Sequence, residues 1–159
     1  MTQALSDIDK VACKKSLLQK CLELIEIRIA ANTLAIANAQ DAANAEEKSS
    51  AGDKYETSRA MSHLEKDMHA RQMAANRNEL AALFNIEPSK ISTTITTGSL
   101  VACKDCSFFI AAGLGKINFD QKDIYLISPN APLAILLFKK RAGDSFVFNK
   151  KEWIIEAVF

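Results

Sequence analysis

Two carboxylates near the middle of the chain, Asp53 and Glu56, have a spacing at which they can act together. If both belong to one helix, residues three apart lie on the same face, and their oxygens project to the same side. Carboxylate oxygens are natural ligands of hard divalent cations. The alternative is structural, because acids are common at a helix start, with Asp53 as N-cap and Glu56 as its capping-box partner.

The distribution of glycine and proline predicts the elements that position these carboxylates. Gly52 is the only glycine in the first 97 residues, and no proline occurs before Pro88. Because these two residue types are the main breakers of helix, the first half of the chain has one natural place to reverse, the octet 49–56. We therefore expect residues 1–87 to form two long antiparallel helices with both carboxylates at their tip.

Apolar and small residues recur in both predicted helices at steps of three and four, which is typical of a coiled coil. The seam of the first helix comprises Leu18, Leu22, Ile25, Ile29, Asn32, Ile36, Ala39 and Ala43. The seam of the return helix comprises Met61, Leu64, Met68, Ala75, Leu80 and Leu83. Asn32 is the polar exception, and a buried Asn can fix the register at a cost in stability. About 30 residues at 1.5 Å each predict an arm of roughly 45 Å.

Composition limits the classes of function. The chain has 159 residues with a net charge of +1, which argues against a protein that coats duplex DNA, because such domains are usually strongly basic. No apolar run approaches the roughly 18 residues of a membrane span. The first nine residues carry acid and do not resemble a signal peptide, so we expect no membrane partner, a cytoplasmic location and reduced cysteine thiols.

The second half of the chain, residues 91–159, has the pattern of a small β-rich domain. Short strands are predicted at Ser99–Cys103, Ser107–Ala111, Gly115–Phe119, Asp123–Ile127, Ser145–Phe148 and Glu152–Val158, and a helix at Ala131–Lys140. We expect an antiparallel sheet with this helix across its face, so the fold class is α+β. The aromatic side chains of Phe108, Phe109, Phe148 and Trp153 are expected in its core.

The cysteines and histidines give weaker signals. Cys103 and Cys106 form a CxxC pair, and zinc would need two more ligands. The structural alternative is a pair of small residues around a hairpin turn. A cysteine nucleophile would need a nearby base, and both histidines, His63 and His69, lie on the predicted arm.

Two motifs give the chain a resemblance to a known family. Gly52-Asp53-Lys54-Tyr55-Glu56 is similar to the Gly-Asp-x-x-Glu tip of the bacterial transcript-cleavage factors of the GreA/GreB family. The second stretch, residues 127–144, resembles the family's Ser-Pro-bearing strand end, short helix and Gly-Asp turn. The order of the two motifs agrees with the family over nearly the whole chain.

The resemblance implies a coiled-coil arm followed by a domain of FKBP-like fold, with RNA polymerase as the partner. In the family the arm enters the secondary channel of the polymerase, and the tip acids reach its catalytic centre. Asp53 and Glu56 would there help to hold a second Mg²⁺ during cleavage of backtracked RNA by the polymerase itself. The protein would then be no enzyme in its own right and would have no cofactor of its own.

The resemblance also implies contacts away from the tip. Basic arm residues would guide the phosphates of the nascent RNA 3′ end, and here these would be Arg59, Lys66 and Arg71. The alternative is an ordinary solvated helix face. The second domain would dock on the polymerase through Ser128, Pro129 and Leu133.

The chain departs from the family directly after Glu56. The family pattern continues Asn-Ala-Glu-Tyr, whereas this chain has Thr57-Ser58-Arg59-Ala60. One alternative is therefore a regulator that occupies the channel without supporting cleavage. Another is a generic coiled-coil or FKBP-like interaction module. Prolyl isomerisation is disfavoured, because the few aromatic residues have positions typical of a core rather than of an open pocket.

Overall fold

The computed structural model describes the backbone at residues 4–47 and 52–159 and the side chains at 4–45 and 56–159. Two long helices come first, α1 (Asp7–Glu47) and α2 (Gly52–Phe84). They are followed by β1 (Leu100–Cys103), β2 (Ser107–Ile110), β3 (Gly115–Phe119), β4 (Lys122–Ile127), α3 (Pro132–Leu137), β5 (Ser145–Phe148) and β6 (Lys151–Val158). The α+β class is confirmed, with a helical hairpin preceding a six-stranded sheet.

The chain divides into two compact units. One comprises Met1–Leu24 with Ala81–Phe159, and the other comprises Ile25–Leu80. The start of α1 and the end of α2 thus belong to the same unit as the sheet, which is apolar on both faces. The sequence-based division into an arm at 1–87 and a β domain at 91–159 stays a prediction.

The hairpin unit, Ile25–Leu80, has the predicted seam on its first helix. Ile25 and Asn32 are buried on α1, and Ile29, Ile36 and Ala39 are half-buried. These positions follow each other at steps of three and four, as a coiled-coil seam requires. The buried position of Asn32 agrees with its predicted place in the seam.

The predicted seam of α2 is wrong in its distal part. Met61, Leu64 and Met68 are 64%, 66% and 49% exposed. The buried and half-buried positions of this helix are Ser58, Ser62, His69, Met73, Asn76, Glu79, Leu80 and Leu83. Interhelical distance depends on the side chains at the contact. Small serines suit the alanine-rich half of α1, and the bulky Met and Leu side chains therefore lie on a flank.

The sheet has the strand order β3-β4-β2-β1-β6-β5. Four of its five strand pairs are antiparallel as predicted, but β2 and β4 are parallel. The cause is that the short connection 111–114 leads from β2 to β3, which lies one strand further out in the sheet. The position next to β2 is thereby left for β4. The β3–β4 turn then returns β4 into that place, helped by the left-handed backbone of Asp120 and Gln121.

The core of the sheet unit has two faces. On one face a cluster that includes Phe108, Ile110, Phe146 and Ile155 packs with the buried side of α3. The partly buried Trp153 and Phe148 pack against the same cluster. Helix α3 ends at Leu137, earlier than the predicted Lys140, because Lys139 has a left-handed backbone.

The other face of the sheet is buried as well, and Phe109 is completely inaccessible there. Two lysines at the start of α1 contact residues of the same unit. Lys10 Nζ lies 6.0 Å from the centre of the Phe159 ring, and Lys14 Nζ donates a hydrogen bond of 2.8 Å to the Lys90 carbonyl oxygen. These contacts explain why the base of the helices belongs to the same unit as the sheet.

Candidate functional site at the hairpin tip

The tip of the hairpin is formed where α1 ends at Glu47 and α2 begins at Gly52. The intervening residues 48–51, which include the first three residues of the predicted reversal at 49–56, lie outside the described residues. Gly52 is the first residue of α2, so Asp53 belongs to the first helical turn and Glu56 follows it closely. The prediction that both carboxylates belong to the start of one helix agrees with these bounds.

Of the two acids, Glu56 has a described side chain and Asp53 has a described backbone only. Glu56 is exposed to solvent, whereas the side chain of Asp53 lies outside the described residues. Positions 53 and 56 are about one turn apart on α2, at the helix end whose dipole favours negative charge. The start of the return helix therefore carries the exposed Glu56, with position 53 one turn before it.

A carboxylate pair supplies only part of the coordination shell of a divalent cation, which takes about six oxygen ligands. Among the described side chains, no group of three or more His, Cys, Asp or Glu residues is arranged to hold a metal ion. A cation bound by Asp53 and Glu56 would therefore need further ligands from a partner or from water.

The residues after Glu56 change the charge of this end. Arg59 is exposed and lies three positions after Glu56, where the GreA/GreB pattern has a glutamate. Residues three apart lie on the same side of a helix, so Arg59 brings a positive charge to the side of α2 that carries Glu56. Its positive charge opposes a cation that approaches Glu56.

The three basic residues predicted to guide RNA are all exposed, but they do not share one face. Arg59 and Lys66 are seven residues apart and lie on the same stripe of α2. Arg71 is five residues beyond Lys66, which places it roughly 140° further round the helix at 100° per residue. Only Arg59 and Lys66 can therefore line one path along the hairpin.

The residues predicted to dock on a partner lie at the turn before α3. The Oγ of Ser128 accepts a hydrogen bond of 3.2 Å from the Asn130 N–H, and Pro129 is half-buried. Leu133, however, is 7% exposed and packs in the core cluster. Its side chain supports the turn from inside, whereas the neighbouring Ile135 is 63% exposed and faces solvent.

The CxxC pair brackets the turn between β1 and β2, as its structural interpretation predicted. The Cys103 N–H donates a hydrogen bond of 2.9 Å to the Cys106 carbonyl oxygen. Burial raises the pKa of Cys103 to about 11, and burial together with Asp105 raises the pKa of Cys106. Neither thiol therefore has the depressed pKa of an activated nucleophile.

The two histidines are on α2, in the hairpin unit. His63 is exposed, and His69 Nε2 lies 3.8 Å from Glu65 Oε1. The cysteines Cys103 and Cys106 are in the sheet unit.

Two features escaped the sequence reasoning. A groove of about 460 Å³ is lined by Ala31 and Ala35 of α1 and by His69 and Ala75 of α2. The alanines of α1 can be recognised in the sequence. The groove was nevertheless not predicted, because the seam of α2 was assigned to the wrong residues. The second feature is Lys14, which is buried at the base of α1 although lysine is almost never fully buried without a partner.

Comparisons with known proteins give a distant likeness. No family model matches the chain, and no curated protein matches it. A solved structure titled "Structure of the transcription factor Gfh1" aligns with 86% of this chain and 92% of that chain, at 18% identity and a TM-score of 0.38. A likeness of this size carries no argument about function, which must therefore come from the residues of this chain. Within residues 4–47 and 52–159, no helix is long and apolar enough to cross a membrane.

Proposed function

We propose that the protein is a transcription elongation factor that binds bacterial RNA polymerase at its secondary channel. The hairpin enters the channel, and Asp53 and Glu56 assist Mg²⁺-dependent cleavage of backtracked RNA by the polymerase. The protein is not itself an enzyme in this proposal, and it works in the cytoplasm, where the polymerase is found. Its sheet unit, assigned to the FKBP-like type by resemblance, docks on the polymerase surface.

One observation carries the proposal, namely the combination of a long two-helix hairpin with the acidic pair at the start of its return helix. Helix α1 has 41 residues and α2 has 33, far above the usual three or four turns. A hairpin of this length buries little and encloses no deep pocket, so its use is reach. The acids at its tip are then delivered to a site that another protein supplies.

The role of the chain's own residues follows from their placement. Asp53 and Glu56 provide oxygens at one helix end, and Arg59 and Lys66 lie on one stripe that can follow an RNA backbone. A bound Mg²⁺ would supply charge stabilisation for phosphodiester hydrolysis. The docking turn would contact the polymerase through the half-buried Ser128 and Pro129 and the exposed Ile135.

A second function is favoured by one specific observation. Arg59 stands beside Glu56 where the family pattern has an acid, so the tip carries less negative charge than a cleavage factor of that pattern. The protein in this alternative occupies the channel and regulates the polymerase without cleavage. The two functions share the partner and differ only in the chemistry at the tip.

The experiment uses stalled, backtracked elongation complexes. The wild-type protein is expected to bind the polymerase and to release short 3′ RNA fragments. The Asp53→Ala, Glu56→Ala double variant should bind with unchanged affinity and release none. The matched control is Asp67→Ala, which removes one exposed acid from the same helix and should leave cleavage unchanged.

The outcomes separate the alternatives. Normal binding without fragments from the wild-type protein selects the regulator. Absence of binding to the polymerase rejects both functions and leaves the generic interaction module. Equal cleavage by the double variant rejects the role of the two carboxylates.

A further inference from the structure

The turn between β1 and β2 places two thiols at directly opposed positions. The β1–β2 register pairs Ala102 with Ser107, so the next pair towards the turn is Cys103 and Cys106. Only Lys104 and Asp105 separate them. Directly opposed residues of an antiparallel pair have their side chains on the same face of the sheet. Both cysteines accordingly pack with the same core cluster.

The backbone distance suits a covalent link. The hydrogen bond from the Cys103 N–H to the Cys106 carbonyl oxygen makes this a hydrogen-bonded pair, for which the Cα separation is about 5.5 Å. Disulfides span Cα separations of about 4.4–6.8 Å. The opposed Cβ atoms of a hydrogen-bonded pair lie towards the far end of about 4.5–5.5 Å, whereas a disulfide needs about 3.5–4.5 Å. The two cysteines can therefore be joined if their Cβ atoms approach each other by about 1 Å, and the resulting bond is strained and easily reduced. The electrostatic influence of Cys106 on Cys103 is consistent with close thiols.

The two thiols differ in access. Cys103 is buried, whereas Cys106 is half-buried and lies beside the exposed ion pair of Lys151 and Asp105, whose Nζ and Oδ2 are 3.4 Å apart. A small oxidant can reach the outer thiol first. The inner thiol is held at the opposed position, where it can resolve the product of that first step.

We propose that Cys103 and Cys106 form a thiol–disulfide pair that hydrogen peroxide oxidises. The Cys106 thiol releases its proton, and the thiolate sulfur attacks one peroxide oxygen. The O–O bond breaks, a sulfenic acid forms, and the leaving hydroxide takes up the released proton as water. The Cys103 sulfur then attacks the Cys106 sulfur, the S–O bond breaks, and a second water leaves as the S–S bond forms. Two thiols and one peroxide thus give one disulfide and two waters. This inference is independent of the proposed function.

Electrostatics set the rate of the first step. Burial and the Asp105 carboxylate disfavour the Cys106 thiolate, and Lys151 favours it. Asp105→Asn should therefore accelerate the reaction of Cys106 with peroxide and with iodoacetamide, by about threefold or more, because the thiolate is the reactive species. Lys151→Met should slow both reactions. A merely structural role of the turn would leave these rates unchanged.

The test is a peroxide titration of the full chain, followed by alkylation of free thiols and tryptic digestion. Cleavage after Lys104 separates the two cysteines into the peptides 91–104 and 105–116. The expected product is one species in which these two peptides are linked, and reduction should release them. Cys13 and Cys21 provide an internal control. They are eight residues apart on α1, about 12 Å along the helix, and should not pair.

Two variants make the result decisive. Cys103→Ala should stop the link and leave a sulfenic acid at Cys106 that dimedone traps. Cys106→Ala should leave Cys103 largely unreacted, because it is buried. Links between other cysteines, links between chains, or oxidation of Cys106 without a link in the wild-type protein would each overturn the proposal.

Discussion

Asn32 donates a hydrogen bond of 3.3 Å from its Nδ2 to the Oε1 of Gln72, across the hairpin and 40 positions along the chain. The same oxygen lies 3.4 Å from His69 Nδ1. The other polar atom of Asn32, Oδ1, is buried and has no hydrogen-bond partner among the described residues. Asn32 thus links the two helices at one position while leaving one of its own groups unsatisfied.

Replacement of Asn32 by leucine is expected to stabilise the protein. A buried, unsatisfied polar atom costs about 1–3 kcal/mol, and leucine of similar size removes it. Gln72 is exposed and can bond to water instead. We expect Asn32→Leu to raise Tm by about 2–4 °C for each kcal/mol gained. Thermal unfolding followed by circular dichroism measures this.

The matched control for that variant is Asn38→Leu, at an exposed position of the same helix. It should change Tm little, because its amide is already in water. A lower Tm for Asn32→Leu than for Asn38→Leu would show that the hydrogen bond to Gln72 outweighs the unsatisfied oxygen.

The hairpin and the strands were predictable because their signals are local. The scarcity of glycine and proline predicted one long helix on each side of the octet 49–56, and periodicity placed Asn32 in the seam. The seam of α2 was not predictable in the same way. The hydrophobic pattern favours Met61, Leu64 and Met68, yet the narrow, alanine-rich partner helix selects serines, and only the pairing of the two helices reveals this.

The pairing of the strands in the sheet was likewise only partly predictable from the sequence. Each strand was visible from its own residues, but the parallel pairing of β2 with β4 depends on where the β2–β3 connection carries the chain. The pair Asp53 and Glu56 was predictable as a unit from the helix start. The burial of Leu133 was not, because both exposed and core residues occur in a short amphipathic helix such as α3.

Reversal of the charge at position 59 is expected to improve any metal-dependent activity of the tip. Arg59→Glu replaces a cation next to Glu56 by an acid. Charge pairs three or four apart on a helix contribute about 0.2–0.5 kcal/mol each, and the reversal replaces an attraction by a repulsion of similar size, so we expect a change of about two- to fivefold. The Mg²⁺ concentration that gives half-maximal RNA cleavage in backtracked complexes should fall by that factor.

The control for position 59 is Arg71→Glu, which makes the same change on a different face of α2. It should leave the Mg²⁺ requirement unchanged. Equal effects of both variants would indicate a general effect of net charge rather than a local effect at Glu56.

The buried Lys14 should make stability depend on alkaline pH. Burial lowers the pKa of Lys14 from its ordinary value of 10.5. Between the lowered pKa and 10.5 the unfolded chain binds more protons than the folded chain, so the free energy of unfolding rises with pH. Below the lowered pKa the cost of the buried charge is fully present and constant.

Lys14→Met is expected to remove this contribution, and Lys15→Met is the control, because Lys15 is exposed on the same helix. Urea unfolding at pH 7 and at pH 10 gives the free energies. The increase between the two pH values should be larger in Lys15→Met than in Lys14→Met. Equal increases would mean that Lys14 is as well solvated in the folded protein as in the unfolded chain.

Gly98 and Gly143 allow the cost of one side-chain contact to be isolated. Both have a left-handed backbone, with φ of 89° and 93°, which an L side chain adopts only with strain. A Cβ at Gly98 would also lie 3.0 Å from Cγ2 of Ile86, whereas a Cβ at Gly143 would meet nothing within 4 Å. Gly143→Ala should therefore cost about 1–2 kcal/mol from backbone strain alone. Gly98→Ala should cost about 1 kcal/mol more, because Ile86 is buried and must shift. Urea unfolding measures both losses. The Gly98→Ala, Ile86→Leu double variant lacks the Cγ2 branch, and it should recover part of the difference, relative to Ile86→Leu alone, if the clash is its cause.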